Sequence, residues 1–319
     1  MRAKISIVVL LVAGLAGILW WSMPVYLRNA LIHWYANIDD YKIFPNKEIT
    51  VDREQPWPKA VNYNRRPIPP AFLRWIEYYQ TNAFVVVKNG ELVHESYYHG
   101  FTAQSISNSF SMAKSIISIL TGCAIKDGFI DSLNVPVGHY FQPFNQPAYQ
   151  SLRIIHLLTM SSGLNWDESY SSPFSVTTQA YYGDNIRPLM ASLTVVDTPG
   201  KRFRYLSCNT QILSYVIEAA TGKDIADYAR EKLWIPLGAS RTALWSTDRE
   251  GGDEKAYCCF FATATDFARL GQLVLNGGKW NGRQLVDSAY MVQAIKPATW
   301  LLSESGDRPL TWYGYHFWL

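Results

Sequence analysis

An Asn-Gly dipeptide between two strand-like runs sets the local architecture of residues 83–97. Residues 83–88 and 91–97 flank Asn89-Gly90 and are rich in apolar and aromatic side chains. Asn-Gly is typical of a type I′ turn, which joins two antiparallel strands through two residues. The pattern therefore predicts a β-hairpin. Helical spacing of apolar residues dominates the chain after it, so few segments remain to complete a sheet.

A helix is predicted to begin between residues 109 and 111, shortly after the hairpin. Ser107, Asn108 and Ser109 all suit the N-cap position, where a short polar side chain accepts a backbone N–H group. Asp127-Gly128 predicts its end, because glycine favours helix termination. The apolar positions between are Met112, Ile116, Ile119, Leu120 and Cys123. Further helices are predicted at residues 154–160, 210–221 and 267–275.

Ser111 and Lys114 lie three residues apart at the predicted helix start, so their side chains share one face. A serine hydroxyl needs an adjacent base to attack a carbonyl, and lysine can serve when burial lowers its pKa. The flanking residues, Phe110, Met112 and Ala113, are too apolar for an exposed face. We therefore predict Ser111 as a nucleophile and Lys114 as its base, the alternative being a solvated surface lysine. Backbone N–H groups of the helix start would face the oxyanion.

A second element, Tyr205-Leu206-Ser207-Cys208-Asn209, follows a Pro-Gly turn and precedes a predicted helix. A phenol can pass a proton between the nucleophile and a leaving group if a nearby cation such as Lys114 lowers its pKa. One tyrosine among 20 proves nothing by itself, but this setting makes Tyr205 the third candidate catalytic residue.

Ser111-x-x-Lys114 followed by a Tyr-x-Ser element resembles the serine β-lactamase, penicillin-binding-protein and esterase superfamily. The similarity runs from about residue 70 to the end. It is greatest to the class C β-lactamase-like branch, and within that branch to aminohexanoate-dimer (nylon-oligomer) hydrolases and related esterases. The similar segments are residues 157–164, Thr198-Pro199-Gly200 with Tyr205, residues 235–238 and residues 262–271.

The resemblance implies an α+β fold, an α/β sandwich of the β-lactamase/transpeptidase type. An antiparallel sheet would be flanked by helices and joined to a mostly helical domain, with the site between them. It also implies catalytic roles for Ser111, Lys114 and Tyr205. Tyr170, which follows an acidic pair, and Ser207 would bind the substrate.

One departure from the superfamily pattern concerns the third position of the tyrosine motif. True β-lactamases carry asparagine there, whereas this chain has Ser207, which cannot make the two-sided contact of an amide. Asn209 is a candidate for a replacement substrate contact, although capping of the following helix is the favoured role for it. The change disfavours penicillin hydrolysis and peptidoglycan carboxypeptidase activity without excluding them.

The superfamily's third motif, Lys/His-Thr/Ser/Ala-Gly on a late strand, is absent from the sequence. In the family that strand supplies one of two oxyanion-hole N–H groups, and loss of one such donor costs roughly 100- to 1,000-fold in rate. We therefore expect a truncated chain that lacks the C-terminal strands and closing helix and has little activity.

The N-terminus predicts a membrane segment. Arg2 and Lys4 precede an apolar run from Ile5 to Trp21, close to the roughly 20 residues needed to span a bilayer. An uncleaved anchor at residues 1–24 is favoured, and a cleaved signal peptide is the alternative. Either places the rest outside the cytoplasm, periplasmic or secreted. Residues 25–70 are predicted as an extended lead-in and residues 71–319 as the hydrolase domain.

Composition excludes several other functions. The 29 basic and 26 acidic residues give a net charge of +3, too mild for a nucleic-acid surface. The six histidines form no metal-binding motif, and adjacent Cys258 and Cys259 lack metal-ligand spacing. We expect no cofactor, no metal and no obligatory disulfide.

The residues and the resemblance together predict a serine hydrolase that cleaves a linear amide or ester through an acyl-enzyme on Ser111. Two alternatives stay open: a penicillin-recognising β-lactamase or D,D-peptidase, and a membrane-tethered, catalytically silent binding protein.

Overall fold

A computed structural model describes residues 2–319, and it describes the side chains of residues 10, 11 and 13–319. The helices are α1 (Arg2–Ser22), α2 (Val25–His33), α3 (Pro70–Tyr78), α4 (Ala113–Lys126), α5 (Ile154–Leu158), α6 (Val176–Tyr182), α7 (Ile186–Ala191), α8 (Ser207–Thr221), α9 (Ile225–Ala229), α10 (Ile235–Leu237), α11 (Ala264–Leu275) and α12 (Ser288–Ala294). The strands are β1 (Asn46–Ile49), β2 (Ala83–Lys88), β3 (Glu91–Tyr97), β4 (Ile106–Asn108), β5 (Ala243–Ser246), β6 (Phe260–Thr263), β7 (Lys279–Trp280) and β8 (Arg283–Gln284).

The main sheet is antiparallel, with strand order β1-β5-β6-β4. All four residues of β6 are buried, as expected for a central strand covered on both faces. Short β4 pairs with β6 so that Ser107 lies opposite Ala262 and Asn108 opposite Phe261. The residues that follow β4 are thereby held at the end of a buried strand.

The predicted hairpin is confirmed. Strands β2 and β3 pair antiparallel, with Ala83 opposite Tyr97 and Lys88 opposite Glu91. Asn89 and Gly90 both have positive φ angles, 54° and 79°, which a type I′ turn requires at its two central positions.

Helix α4 runs through the core, and its apolar residues are buried on almost every side. Cys123 is 1% exposed, as predicted for a small buried hydrophobe. The helix ends at Lys126, before Gly128 with φ of 77°, where the sequence places its end. It begins at Ala113 rather than at residues 109–111, because Phe110–Met112 form a 3₁₀ turn first.

Residues 25–70 contain more regular structure than the predicted extended lead-in. They include α2 and also β1, which pairs with β5 from Asn46–Ser246 to Ile49–Ala243. Ile49 is fully buried in this position. Pairing with β1 covers the edge of β5, which would otherwise expose unpaired backbone groups. Local sequence does not reveal this strand, because its partner lies almost 200 residues further along the chain.

The predicted anchor at residues 1–24 falls on α1, but residue 1 and the side chains of residues 2–9 and 12 lie outside the described part. Among the described residues, none of the helices combines the length and the hydropathy that crossing a bilayer requires.

Candidate active site

Ser111 lies in the 3₁₀ turn between β4 and α4, and side-chain and backbone contacts hold this turn in place. The Asn108 Oδ1 atom accepts the Phe110 N–H at 2.9 Å, and the Ser109 N–H donates to the Phe260 carbonyl of β6 at 2.8 Å. Phe110 has a φ of 44°, an unfavourable backbone region for a bulky residue. The surrounding structure therefore constrains the residue immediately before the candidate nucleophile.

Lys114 is the base candidate, and its ammonium group is buried beside Ser111. Its side chain is 2% exposed, and its Nζ donates to Ser111 Oγ at 3.1 Å and to the Tyr257 carbonyl at 2.9 Å. Burial lowers the pKa of Lys114 to about 8, although the nearby Glu168 carboxylate opposes the change. About a tenth of the amine is consequently neutral at pH 7, which makes it available as a general base.

Tyr205 lies against the same amine, with Lys114 Nζ 5.1 Å from the centre of its ring. Burial raises the pKa of the phenol, while hydrogen bonding with Ser111 opposes the rise. A nearby cation such as Lys114 was expected to lower this pKa, whereas its net direction is upward. Tyr205 is therefore a neutral phenol at rest, suited to donating a proton rather than acting as a permanent phenolate.

Glu168 connects two predicted substrate-binding residues. Its Oε2 accepts the Ser207 N–H at 2.6 Å, and its Oε1 accepts the hydroxyls of Ser207 and Tyr170, each at 2.5 Å. The carboxylate also stabilises the N-terminus of α8, which begins at Ser207. The Ser207 hydroxyl thus donates to Glu168, and Tyr170 is held over the site although it is 66% exposed.

Glu168 is one member of the acidic pair before Tyr170, and no role was predicted for it. Its partner Ser207 lies 39 residues away, so no spacing rule links them. The one available signal was its place two residues before Tyr170, inside a segment already singled out.

Asn209 does not join the other predicted site residues. It is fully buried within α8, and its amide donates to the Met160 sulfur at 3.4 Å. Two residues along a helix correspond to a rotation of about 200°, so Asn209 points away from the face that Ser207 presents. The capping alternative is also wrong in detail, because Leu206 occupies the N-cap position and makes no side-chain cap.

A cavity of about 750 Å³ opens beside Ser111. Phenol rings, other apolar groups and hydroxyls form its walls, and no charged side chain lines it among the described residues. The lining residues are Ala30, Trp34, Tyr35, Ala36, Phe110, Ser111, Ser169, Tyr170, Ser171, Ser172, Pro173, Thr177, Thr178, Tyr181, Tyr182, Ser207, Tyr257 and Cys258. Ser111, Tyr170 and Ser207 thus share one cavity.

Cys258 and Cys259 are bonded to each other, a pairing that the expectation of no obligatory disulfide did not anticipate. The backbone on both sides is held by β5: the Cys259 carbonyl accepts the Ser246 N–H at 2.9 Å, and the Cys258 carbonyl accepts the Trp245 indole N–H at 3.1 Å. Adjacent cysteines show no spacing motif, so sequence gave no signal for the bond. It closes the segment directly after Tyr257, whose carbonyl accepts from Lys114.

The sequence is similar to that of a known protein family and to that of one characterised relative. The beta-lactamase family model matches residues 79–319. A 6-aminohexanoate-dimer hydrolase from Paenarthrobacter ureafaciens is 28% identical over 228 residues, covering 67% of this chain and 57% of that protein. The matched part of the chain therefore spans little more than half the length of this relative.

Solved structures give a consistent result. A Bacillus anthracis protein assigned as a 6-aminohexanoate-dimer hydrolase aligns with a TM-score of 0.71 at 21% identity, covering 92% of this chain and 81% of its own. A class C beta-lactamase aligns with a TM-score of 0.51 at 15% identity, covering 71% of this chain and 67% of its own. At these identities the likeness shows the fold, and it confirms the predicted antiparallel sheet flanked by helices.

Proposed function

The chain belongs to the beta-lactamase family of serine hydrolases, and we propose that it cleaves a linear amide or ester through an acyl-enzyme on Ser111. One observation carries the proposal: a buried lysine amine with a pKa of about 8 donates to the Ser111 hydroxyl at 3.1 Å. Lysines are rarely buried without a partner charge, and this one has a hydroxyl and a carbonyl instead.

Acylation begins when the neutral Lys114 amine removes the Ser111 proton as Oγ attacks the substrate carbonyl. The tetrahedral intermediate then collapses, and the carbonyl carbon's bond to the leaving nitrogen or oxygen breaks. Tyr205 gives its proton to the leaving group and recovers one from the Lys114 ammonium. This order suits a phenol whose pKa burial raises, because it starts protonated.

Deacylation reverses the same proton path. Water attacks the Ser111 ester as Tyr205 accepts one water proton and passes its own proton to the neutral Lys114 amine. The ester bond to Oγ then breaks as the Lys114 ammonium returns that proton to Ser111. The carboxylic acid leaves, and the enzyme regains its starting state.

Tyr170 and Ser207 are proposed to orient the substrate through the Glu168 carboxylate that holds both of them. Tyr170 lines the cavity and can contact a substrate amide, whereas Ser207 acts chiefly by fixing the position of Glu168. The linear-amide substrate class is supported by the relative named for the 6-aminohexanoate dimer, which is itself a linear amide.

A fluorophosphonate probe tests the nucleophile. It is expected to label the folded protein, and Ser111→Ala is expected to abolish labelling. Ser192→Ala is the matched control, because this surface hydroxyl only donates to the Leu189 carbonyl. Labelling that survives Ser111→Ala would refute the assignment.

The same protein incubated with fluorescent penicillin separates the alternatives. Stable penicillin labelling at Ser111 would indicate a penicillin-recognising enzyme. Absence of labelling by both probes, in protein shown to be folded, would favour a silent binding protein.

A further inference from the structure

We propose that the cavity beside Ser111 selects an uncharged aromatic or alkyl substrate group, and that residues 25–36, here called the N-terminal arm, form the selecting wall. The inference deepens the proposed hydrolase function and rests on it for the identity of the ligand as substrate. The arm lies outside residues 79–319, the part that matches the family model, so the family match does not account for this wall.

The arm is docked against the tyrosines that line the cavity. Asn29 Nδ2 donates to the Tyr182 carbonyl at 2.9 Å, and the His33 ring stacks on Tyr182 at 6.1 Å. Ala30 is 6% exposed and lines the cavity from the arm side. These contacts fix α2 next to α6, so the cavity wall is held by specific interactions.

Beyond α2, the arm turns sharply and presents aromatic surface. Trp34 has a φ of 63°, a backbone region that bulky residues rarely adopt, and it lines the cavity together with Tyr35. Both side chains are largely exposed, at 65% and 71%. Two exposed aromatic side chains in the cavity lining offer surface that a flat or extended apolar group would cover.

The nearest charges are already satisfied by protein groups. Glu168 accepts from Ser207 and Tyr170, while Lys114 donates to Ser111 and the Tyr257 carbonyl. No charged side chain lines the cavity among residues 10, 11 and 13–319. A charged ligand group entering it would lose water without gaining an ionic partner, which is strongly unfavourable.

Two phenols in the cavity lining stay uncharged. The hydroxyls of Tyr182 and Tyr257 are buried without a hydrogen-bond partner in the described part of the chain, and both residues line the cavity. Burial raises the pKa of both phenols, to about 12 for Tyr182, so each stays protonated. Because neither hydroxyl has surface exposed to the cavity, these two residues contribute apolar ring surface and no charge to its wall.

Binding to a Ser111→Ala variant of the full chain tests the inference without relying on hydrolysis. Three amide probes of similar length are compared by calorimetry: 4-phenylbutyramide (neutral), 6-aminohexanamide (cationic) and adipic acid monoamide (anionic). The neutral amide is expected to bind at least tenfold more tightly than either charged amide. Equal or tighter binding of a charged probe would overturn the proposal.

A substitution in the N-terminal arm provides the second part of the test. Trp34→Ala in the same background is expected to weaken 4-phenylbutyramide binding at least fivefold. Trp75→Ala is the matched control, since Trp75 is similarly exposed but lies on α3 outside the cavity lining. Equal effects of the two substitutions, with both variants folded by circular dichroism, would refute the role of the arm.

Hydrolysis then separates this inference from the proposed function. Wild-type protein and Trp34→Ala are compared for selectivity among the p-nitrophenyl esters of 4-phenylbutyrate, 6-aminohexanoate and acetate. If fluorophosphonate labels Ser111 but the substitution leaves this selectivity unchanged, only the inference about the arm fails. If neutral amides bind as expected but Ser111 is never labelled, the hydrolase proposal fails and the binding preference stands.

Discussion

The neutral fraction of Lys114 sets the expected pH dependence of hydrolysis between pH 6 and pH 10.5. Burial lowers the pKa of its amine from 10.5 to about 8. With that pKa, about 9% of the amine is neutral at pH 7 and about 91% at pH 9, whereas an unperturbed lysine would be only about 0.03% neutral at pH 7. The lowered pKa corresponds to roughly 3 kcal/mol of discrimination against the ammonium form.

The value of kcat/KM is therefore expected to rise about tenfold from pH 7 to pH 9 and then to level off. An unperturbed lysine would instead give a rise of about 100-fold that continues beyond pH 9. The assay uses 4-phenylbutyryl p-nitroanilide, because the absorbance of p-nitroaniline does not change over this range. A rate that climbs without levelling below pH 10 would refute the assignment of a buried, pKa-lowered base.

Glu168→Gln tests the electrostatic part of the same reasoning. The carboxylate raises the pKa of Lys114 against the effect of burial, so its removal should move the midpoint of the pH profile to lower pH. Glu77→Gln, on the exposed surface of α3, is the matched control and should leave the midpoint unchanged. A midpoint that moves upward in Glu168→Gln would contradict the sign of this interaction.

Three further outcomes are expected. Leu120→Ala, at a fully buried position of α4, should lower the free energy of unfolding by about 2–5 kcal/mol and Tm by several degrees. Leu275→Ala, at a position that is 79% exposed, should change Tm little. Equal effects of the two substitutions would contradict the core assignment. Burial lowers the pKa of His316 to about 3 and of His156 to about 4. Below about pH 6.5 the unfolded chain therefore binds protons at these histidines that the native state does not bind. Tm should fall between pH 7 and pH 4.5, and a Tm that stays constant over this range would contradict the reasoning. The extracytoplasmic location remains a prediction, which protease accessibility of the domain in intact cells would test.

Local features of the fold were predictable because their causes are local. The hairpin follows from a turn dipeptide whose two residues take the required positive φ angles. Lys114 reaches Ser111 because residues three apart share a helix face. Lys114 is buried as predicted, but the premise that its apolar flanks avoid solvent is wrong for Phe110 and Met112, which are 42% and 40% exposed. These inferences needed only sequence spacing and side-chain chemistry.

Features that depend on distant partners were not predictable in the same way. Strand β1 forms by pairing with β5, and the N-terminal arm is positioned by α6, both far away in sequence. Glu168 gains its role from Ser207 in another segment. In each case tertiary pairing decides the structure, and the local sequence carries little trace of it.

Asn209 shows a different kind of failure. Asn209 was considered as a substitute for the amide that Ser207 lacks, but the phase of α8 turns its side chain towards Met160. A motif identifies residues that are close in sequence, whereas the residue at which the helix begins determines which of their side chains face the cavity. Because α8 begins at Ser207, three residues before the predicted start, the predicted face was shifted.

Trapping of the covalent intermediate tests the central claim most directly. Wild-type protein turning over 4-phenylbutyryl p-nitroanilide is quenched in acid during the steady state, digested and analysed by mass spectrometry. A peptide containing Ser111 that carries the added mass of the 4-phenylbutyryl group, absent in Ser111→Ala, is the expected result. Sustained turnover with no acylated peptide, or with the acyl group on another residue, would contradict the mechanism.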